Sequence, residues 1–197
     1  MAKHFSPLNV SIALLEPIEY FFTHYATPDL KYSKNDKETK IEIGTVNDFH
    51  KIVVESLPRI LVDRGPYELN SNHLNESLAE SDSFEATLGL KEHVKHVFIN
   101  GQVSITIEAR QEGVCEKITD MVATMLSWTQ HEIARDFGFK KFAGRINIGS
   151  CSPFEDGETS RSFRCVVTFP YSTEETWNLD ELGVKIKSAD LNITSTN

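Results

Sequence analysis

Residues 102–110 alternate without a break. Val103, Ile105, Ile107 and Ala109 are apolar or small, and Gln102, Ser104, Thr106, Glu108 and Arg110 are polar. A period of two sends successive side chains to opposite faces, so the stretch reads as a strand with one buried face. Upstream, Val97, Phe98 and Ile99 run into Asn100 and Gly101. Asn-Gly supplies the positive φ that both central positions of a type I′ turn require, so the sequence predicts a hairpin closing at 100–101. Downstream, Val114, Ile118, Val122, Met125, Ile133 and Phe137 recur near the helical period, with Thr129 in the gap. They predict one long helix over 114–137, stopped by Gly138. A helix lying across an antiparallel sheet is the expected core.

The flanking segments fit around that core. Ser6 and Pro7 have the chemistry of a helix start, and the N-terminal helix is expected over about 6–25. Leu8, Ile12 and Leu15 mark its apolar face, Pro17 interrupts it, and Ile18, Phe21, Phe22 and Tyr25 continue it. Ile41 and Ile43 predict a short strand. The runs 51–57 and 59–63 predict strands separated by Pro58, and Arg64, Gly65 and Pro66 break the chain. The segment 71–83 is rich in Asn, Ser and Glu and reads as a long polar loop. A strand is expected over 84–90, another over 145–150, a polar turn over 152–160, and a clean strand over 161–171. There Phe163, Cys165, Val167, Phe169 and Tyr171 share one face. The fold class is therefore α+β: a mainly antiparallel sheet with one long helix on a face and an N-terminal helix. The strand at 145–150 is expected to add a parallel neighbour through the helical crossover. Residues 1–171 are expected to form a single domain, followed by a C-terminal arm over 172–197.

The formal charge of −9 argues against a surface that coats nucleic acid. No apolar run is long enough for a transmembrane helix, and Met1 to Phe5 lack the apolar core of a signal peptide, so no membrane contact and synthesis in a cytoplasm are expected. Cys115, Cys151 and Cys165 are an odd, widely spaced set and read as buried thiols in a reducing compartment.

Catalytic chemistry is not expected. His93 and His96, three apart on a strand, would point to opposite faces and could not share a metal. His131 and Glu132 begin like a zinc-protease motif, but Arg135 stands where the second histidine would be. Phosphate-binding loops of the Gly-Lys-Ser type, GxSxG and GxGxxG are absent from the sequence. Cys115 and His131 are sixteen positions apart on one helix, about 24 Å at ~1.5 Å per residue, too far for a nucleophile and its base. The expectation is no enzyme, no cofactor and no metal. Arg59, Asp63 and Arg64 sit at predicted strand ends, where subunits or layers meet, with local salt bridges as the plainer reading. Trp177, Leu179 and Leu182 are apolar anchors in a polar arm. These six are the candidate interface residues.

Three segments carry a resemblance: 57–67 (LPRILVDRGPY), 98–110 (FINGQVSITIEAR), and 149–153 (GSCSP) followed by 166–171 (VVTFPY). In this order they are similar to tail-terminator and neck proteins of long-tailed, especially contractile-tailed, bacteriophages. The resemblance covers roughly 58–171 and rests on pattern and order. It implies a structural virion protein of the tail or neck, assembled in the host cytoplasm. It implies a homo-oligomeric ring, commonly a hexamer, that caps the tail tube and joins it to the head connector. Tube, sheath and connector proteins would be its partners, and genomic DNA would pass the channel without sequence-specific binding. An acidic lining suits such passage, because holding phosphates needs Lys or Arg. Two other classes remain open: a small-molecule or peptide-binding α+β module, and an enzyme whose site is completed across a subunit interface.

Overall fold

The computed structural model describes residues 8–35, 37–46, 58–70, 94–156 and 160–178. The chain divides into two compact units. One comprises Met1–His4, Leu69–Ile99 and Glu174–Asn197, and the other Phe5–Glu68 and Asn100–Thr173. In the first, the described stretches 69–70, 94–99 and 174–178 are all strand. The second holds both helices and the core.

The elements run α1 (Leu8–His24), β1 (Glu42–Thr45), β2 (Arg59–Asp63), β3 (Tyr67–Asn70), β4 (Val94–Ala109), α2 (Glu112–Phe137), β5 (Phe139–Phe142), β6 (Asn147–Ile148), β7 (Ser152–Asp156) and β8 (Ser160–Asn178). The eight strands form one mixed sheet of order β1-β2-β4-β8-β5, with β3 on β4 and β6 and β7 on β8. The α+β class holds. The parallel pair is β1 with β2, and β6 pairs antiparallel with β8 rather than adding a parallel neighbour after the helix.

The alternation in 102–110 does what its period requires. Val103, Ile105, Ile107 and Ala109 are buried. The antiparallel register sets Ile60 opposite Ile107 and Val62 opposite Ile105. Cys165, Val167, Phe169, Tyr171 and Thr173 of β8 are buried likewise. Onto this apolar side α2 brings Cys115, Ile118, Thr119, Val122, Met125, Leu126 and Ile133. Gly138 ends α2 at φ 76°, the left-handed cap position that favours glycine, and its N–H donates to the Ala134 carbonyl. At the far end of the helix, Phe139 meets Tyr171 edge-on at 5.9 Å, and Phe142 meets Phe169 at 5.2 Å.

Four expectations need correction. First, Asn100 and Gly101 make no hairpin. They lie inside β4, which runs unbroken from Val94 to Ala109. Gly101 has no positive φ; only Gly65 and Gly138 do among the described glycines. The reason for glycine is contact. A Cβ at Gly101 would fall 2.5 Å from ring atoms of Tyr171. The phenol ring lies against bare backbone, and tertiary packing overrides the local turn preference. Second, residues 152–156 of the expected polar turn are a strand, β7, whose register with β8 pairs Ser152 with Arg164 and Asp156 with Ser160. Its backbone hydrogen bonds are satisfied by β8 whatever its side chains, so polarity misled. Third, the strand over 145–150 shrinks to Asn147–Ile148, and β5 precedes it. Fourth, the buried face of α1 matches the expected one only at Ile18 and Phe22. Val10, Ala13, Leu14, Ile18 and Phe22 are buried, whereas Ile12 and Tyr25 are exposed. Pro17 stays within the helix.

β8 continues to Asn178, past the Tyr171 at which the arm was expected to begin. Ser6, Pro7, the run 51–57, the loop 71–83, the strand 84–90 and the arm beyond 178 lie outside the described residues.

The contact at Gly101 gives a direct test. Gly101→Ala should cost about 1–3 kcal/mol by overpacking. Combined with Tyr171→Leu, which removes the clashing ring, it should cost far less than the two single changes added together, as read in a denaturant double-mutant cycle. Additive losses would return the position to a turn-like backbone requirement.

Candidate functional site

The two faces of the sheet carry different chemistry. On the side away from Ile107, the register places Arg59 of β2 opposite Glu108 of β4. Glu108 is fully buried, which is rare for a carboxylate unless it is paired. Here it is paired twice. Arg59 Nε donates to Glu108 Oε2, and Arg164 Nε on β8 donates to Glu108 Oε1 at 2.7 Å. The Arg59 side chain is 13% exposed and that of Arg164 45%. The Arg164 guanidinium also lies over the Phe154 ring, 4.3 Å from its centroid, which clips β7 to the cluster. This arrangement neutralises one buried charge and ties the three central strands together. A buried carboxylate with a guanidinium on each of its two oxygens resists separation, so the cluster reads as architecture.

The second feature lies on the helical side. Between α1 and α2 a cleft of about 550 Å³ is lined by Glu16, Pro17, Tyr20, Phe21, Tyr25, Met125, Trp128, Thr129 and Phe137. Its walls are almost wholly apolar. The hydroxyl of Thr129 is already used, donating to the Met125 carbonyl at 2.8 Å. Three of its aromatic residues are strongly exposed: Trp128 at 70%, Tyr25 at 68% and Tyr20 at 58%. The rings from α1 are set against one another, Tyr20 on His24 at 4.2 Å and Phe21 on Tyr25 at 5.6 Å. Scattered apolar residues on a surface need no explanation, but a Trp and two Tyr around one concave apolar patch do. Trp and Tyr are the residues that dominate binding energy in protein interfaces.

A third grouping unites the cysteines. Cys115 and Cys165 are buried, Cys151 is half-buried, and all three are free thiols. Burial, with the neighbouring Cys151 thiol, pushes Cys115 up to about 12. Burial also raises Cys151. Neither is an activated nucleophile at neutral pH.

The expected interface residues separate in the structure. Arg59 belongs to the Glu108 cluster. Asp63 accepts a hydrogen bond from the Gly65 N–H at 3.2 Å, and Arg64 lies over Tyr67 at 5.3 Å, so these two organise the turn after β2. Trp177 falls on β8, with its side chain outside the described residues, as are Leu179 and Leu182. His131 and Glu132 are exposed on α2, as a solvated helix face would have them. Among the described residues no group of three His, Cys, Asp or Glu side chains is placed to hold a metal ion, and no helix is long and apolar enough to cross a membrane. His93 and the side chain of His96 lie outside them.

The aromatic cleft went unnoticed in the sequence because Phe21 and Tyr25 read as a continuation of a buried face. The signal that could have found it is Trp128, which falls off the 114–137 apolar stripe and so had to point elsewhere. Compared with protein-family profiles and with curated proteins, the chain matches none.

The Glu108 cluster makes its own prediction. Glu108→Leu should destabilise the fold by about 3–5 kcal/mol, because it removes the buried carboxylate that both Arg59 and Arg164 hold. Adding Arg59→Met should recover much of that loss, since Arg164 can turn to solvent. Urea unfolding of the three proteins measures both steps; no recovery in the double variant would assign the loss to packing alone.

Proposed function

We propose that this protein is a structural subunit that self-assembles, and that the α1/α2 aromatic cleft is one of its assembly surfaces. The observation that carries the reading is the exposed Trp128, Tyr20 and Tyr25 around one apolar concavity. Apolar aromatic surface left in water is stabilised when a partner covers it, at ~25 cal/mol per Å² removed from water. Repetition around a closed ring multiplies modest contacts into a stable assembly. The finer proposal follows the order of the segments 57–67, 98–110 and 149–171. It is a tail-terminator or neck ring, commonly of six copies, that caps a phage tail tube, meets tube, sheath and connector proteins, and lets DNA through. The acidic charge of −9 suits that passage, because a lining short of Lys and Arg gives phosphates little to hold.

The volume of the cleft supports a second reading. About 550 Å³ also falls in the range of small-molecule sites, so a ligand-binding module is the alternative. Solution mass separates the two. Trp128→Asp should leave the far-ultraviolet spectrum and melting temperature close to the parent, since the side chain is mostly outside the fold. It should weaken assembly by at least ~2 kcal/mol per interface, roughly 30-fold, as seen in native mass spectrometry. A parent protein that stays a monomer at all concentrations and takes up a small ligand would replace assembly with the ligand-binding reading. Assembly into rings without any tail or neck location, shown by labelling virions, would retain the subunit and remove the phage assignment.

A further inference from the structure

The chemistry of the α1/α2 cleft is more specific than apolarity. Glu16 is the one carboxylate in its wall. Phe21 lies in the last turn of α1, Tyr25 directly follows that helix, and Phe137 is the last residue of α2. Both helices therefore end at the cleft, and helix C-termini carry partial negative charge. Arg135, the basic residue in the last turn of α2, is already paired with Asp136 at 2.9 Å. The faces of Trp and Tyr rings attract cations as well. An occupant that satisfies all of this is apolar and carries a cation beside its apolar groups.

Among the described residues, β3 has that chemistry. All four of its residues are exposed. Tyr67 and Leu69, 39% and 62% exposed, are two positions apart and so share one side of the strand. At ~3.3 Å per residue they stand about 6.6 Å apart, close enough to enter one cleft together. Arg64 accompanies them, its guanidinium 5.3 Å from the centroid of the Tyr67 ring. The nearby carboxylates do not cancel it on that side. Asp63 accepts from the Gly65 N–H at 3.2 Å, and the alternation of the strand turns Glu68 away from Tyr67 and Leu69. Ile12, Val46 and Ile148, the other large exposed apolar residues off the cleft, stand singly along the chain. A strand that shows Tyr and Leu to solvent is one that natural proteins cover.

We propose that the α1/α2 cleft of one copy receives β3 of the next, with Tyr67 and Leu69 among its aromatic rings and Arg64 against Glu16. This rests on the assembly reading and names the partner surface. A projecting strand and a cleft between helices are different patches of the chain, so the contact is heterologous. Each copy gives one β3 and takes one, and the repeat closes when the rotation between copies allows it.

The test reverses charges in the full-length protein and follows assembly by native mass spectrometry. Glu16→Arg and Arg64→Glu should each raise the dissociation constant of assembly at least ~10-fold, because each sets like charges against one another. The double variant, with the two charges exchanged, should return to within about 3-fold of the parent. Leu69→Asp should abolish assembly at concentrations where the parent is assembled. Its melting temperature and far-ultraviolet spectrum should stay with the parent's, since the side chain is mostly outside the fold. A parent that stays monomeric at every concentration removes the assembly reading, and this junction with it. A parent that assembles overturns the junction alone if Leu69→Asp assembles equally well, or if the double reversal assembles no better than the single ones.

Discussion

A carboxylate with no solvent exposure has to be paired, and Glu108 is paired by residues from both strands that flank its own. Arg59 reaches it from β2 and Arg164 from β8. This constraint fixes more than a charge. It requires β2, β4 and β8 to be adjacent and in register, and that register is what stacks Ile60 on Ile107 and Val62 on Ile105 on the other face. A slip of one residue would move Glu108 into the apolar layer beneath the helices and put Ile107 among the arginines. Polar pairing on one face and hydrophobic burial on the other select the same alignment, which is the consistency expected of a sequence that specifies one structure.

With the sheet fixed, the helices have little freedom. α2 packs against β5 and α1, and α1 packs also against β1 and β2. Two curved helical surfaces meeting over a sheet leave a groove between them wherever their outward residues do not interlock. Tyr20, Tyr25 and Trp128 rim that groove. Interior-type residues in an open site are what an assembly subunit carries before its neighbours arrive, and we place the functional reading there.

Strong periodicity was legible in the sequence, and local chemistry alone was not. The odd positions of 103–109 and of 163–171, the extent of α2 and its glycine stop were all readable, because each repeats one physical demand several times over. Asn100 and Gly101 misled because the demand on Gly101 comes from Tyr171, seventy positions away. The polar composition of 152–156 said nothing of β7, which is held through backbone bonds to β8. Arg59 was visible as a notable residue, but its partner was not, since Glu108 read only as one polar residue of an alternating strand. The cleft depends on which way two helices are turned, and on α1 the expected face was right at Ile18 and Phe22 but not at Ile12 and Tyr25.

The central claim is that the surface around Trp128 becomes covered when copies meet. Its own fluorescence reports on that. In a Trp177→Phe background Trp128 is the sole tryptophan of the chain. Acrylamide quenching should be strong in dilute protein and fall sharply as concentration drives association, with the emission maximum moving to shorter wavelength. Quenching and emission that stay the same from dilute to fully assembled protein would contradict the account, because the aromatic cleft would then face solvent in the finished assembly.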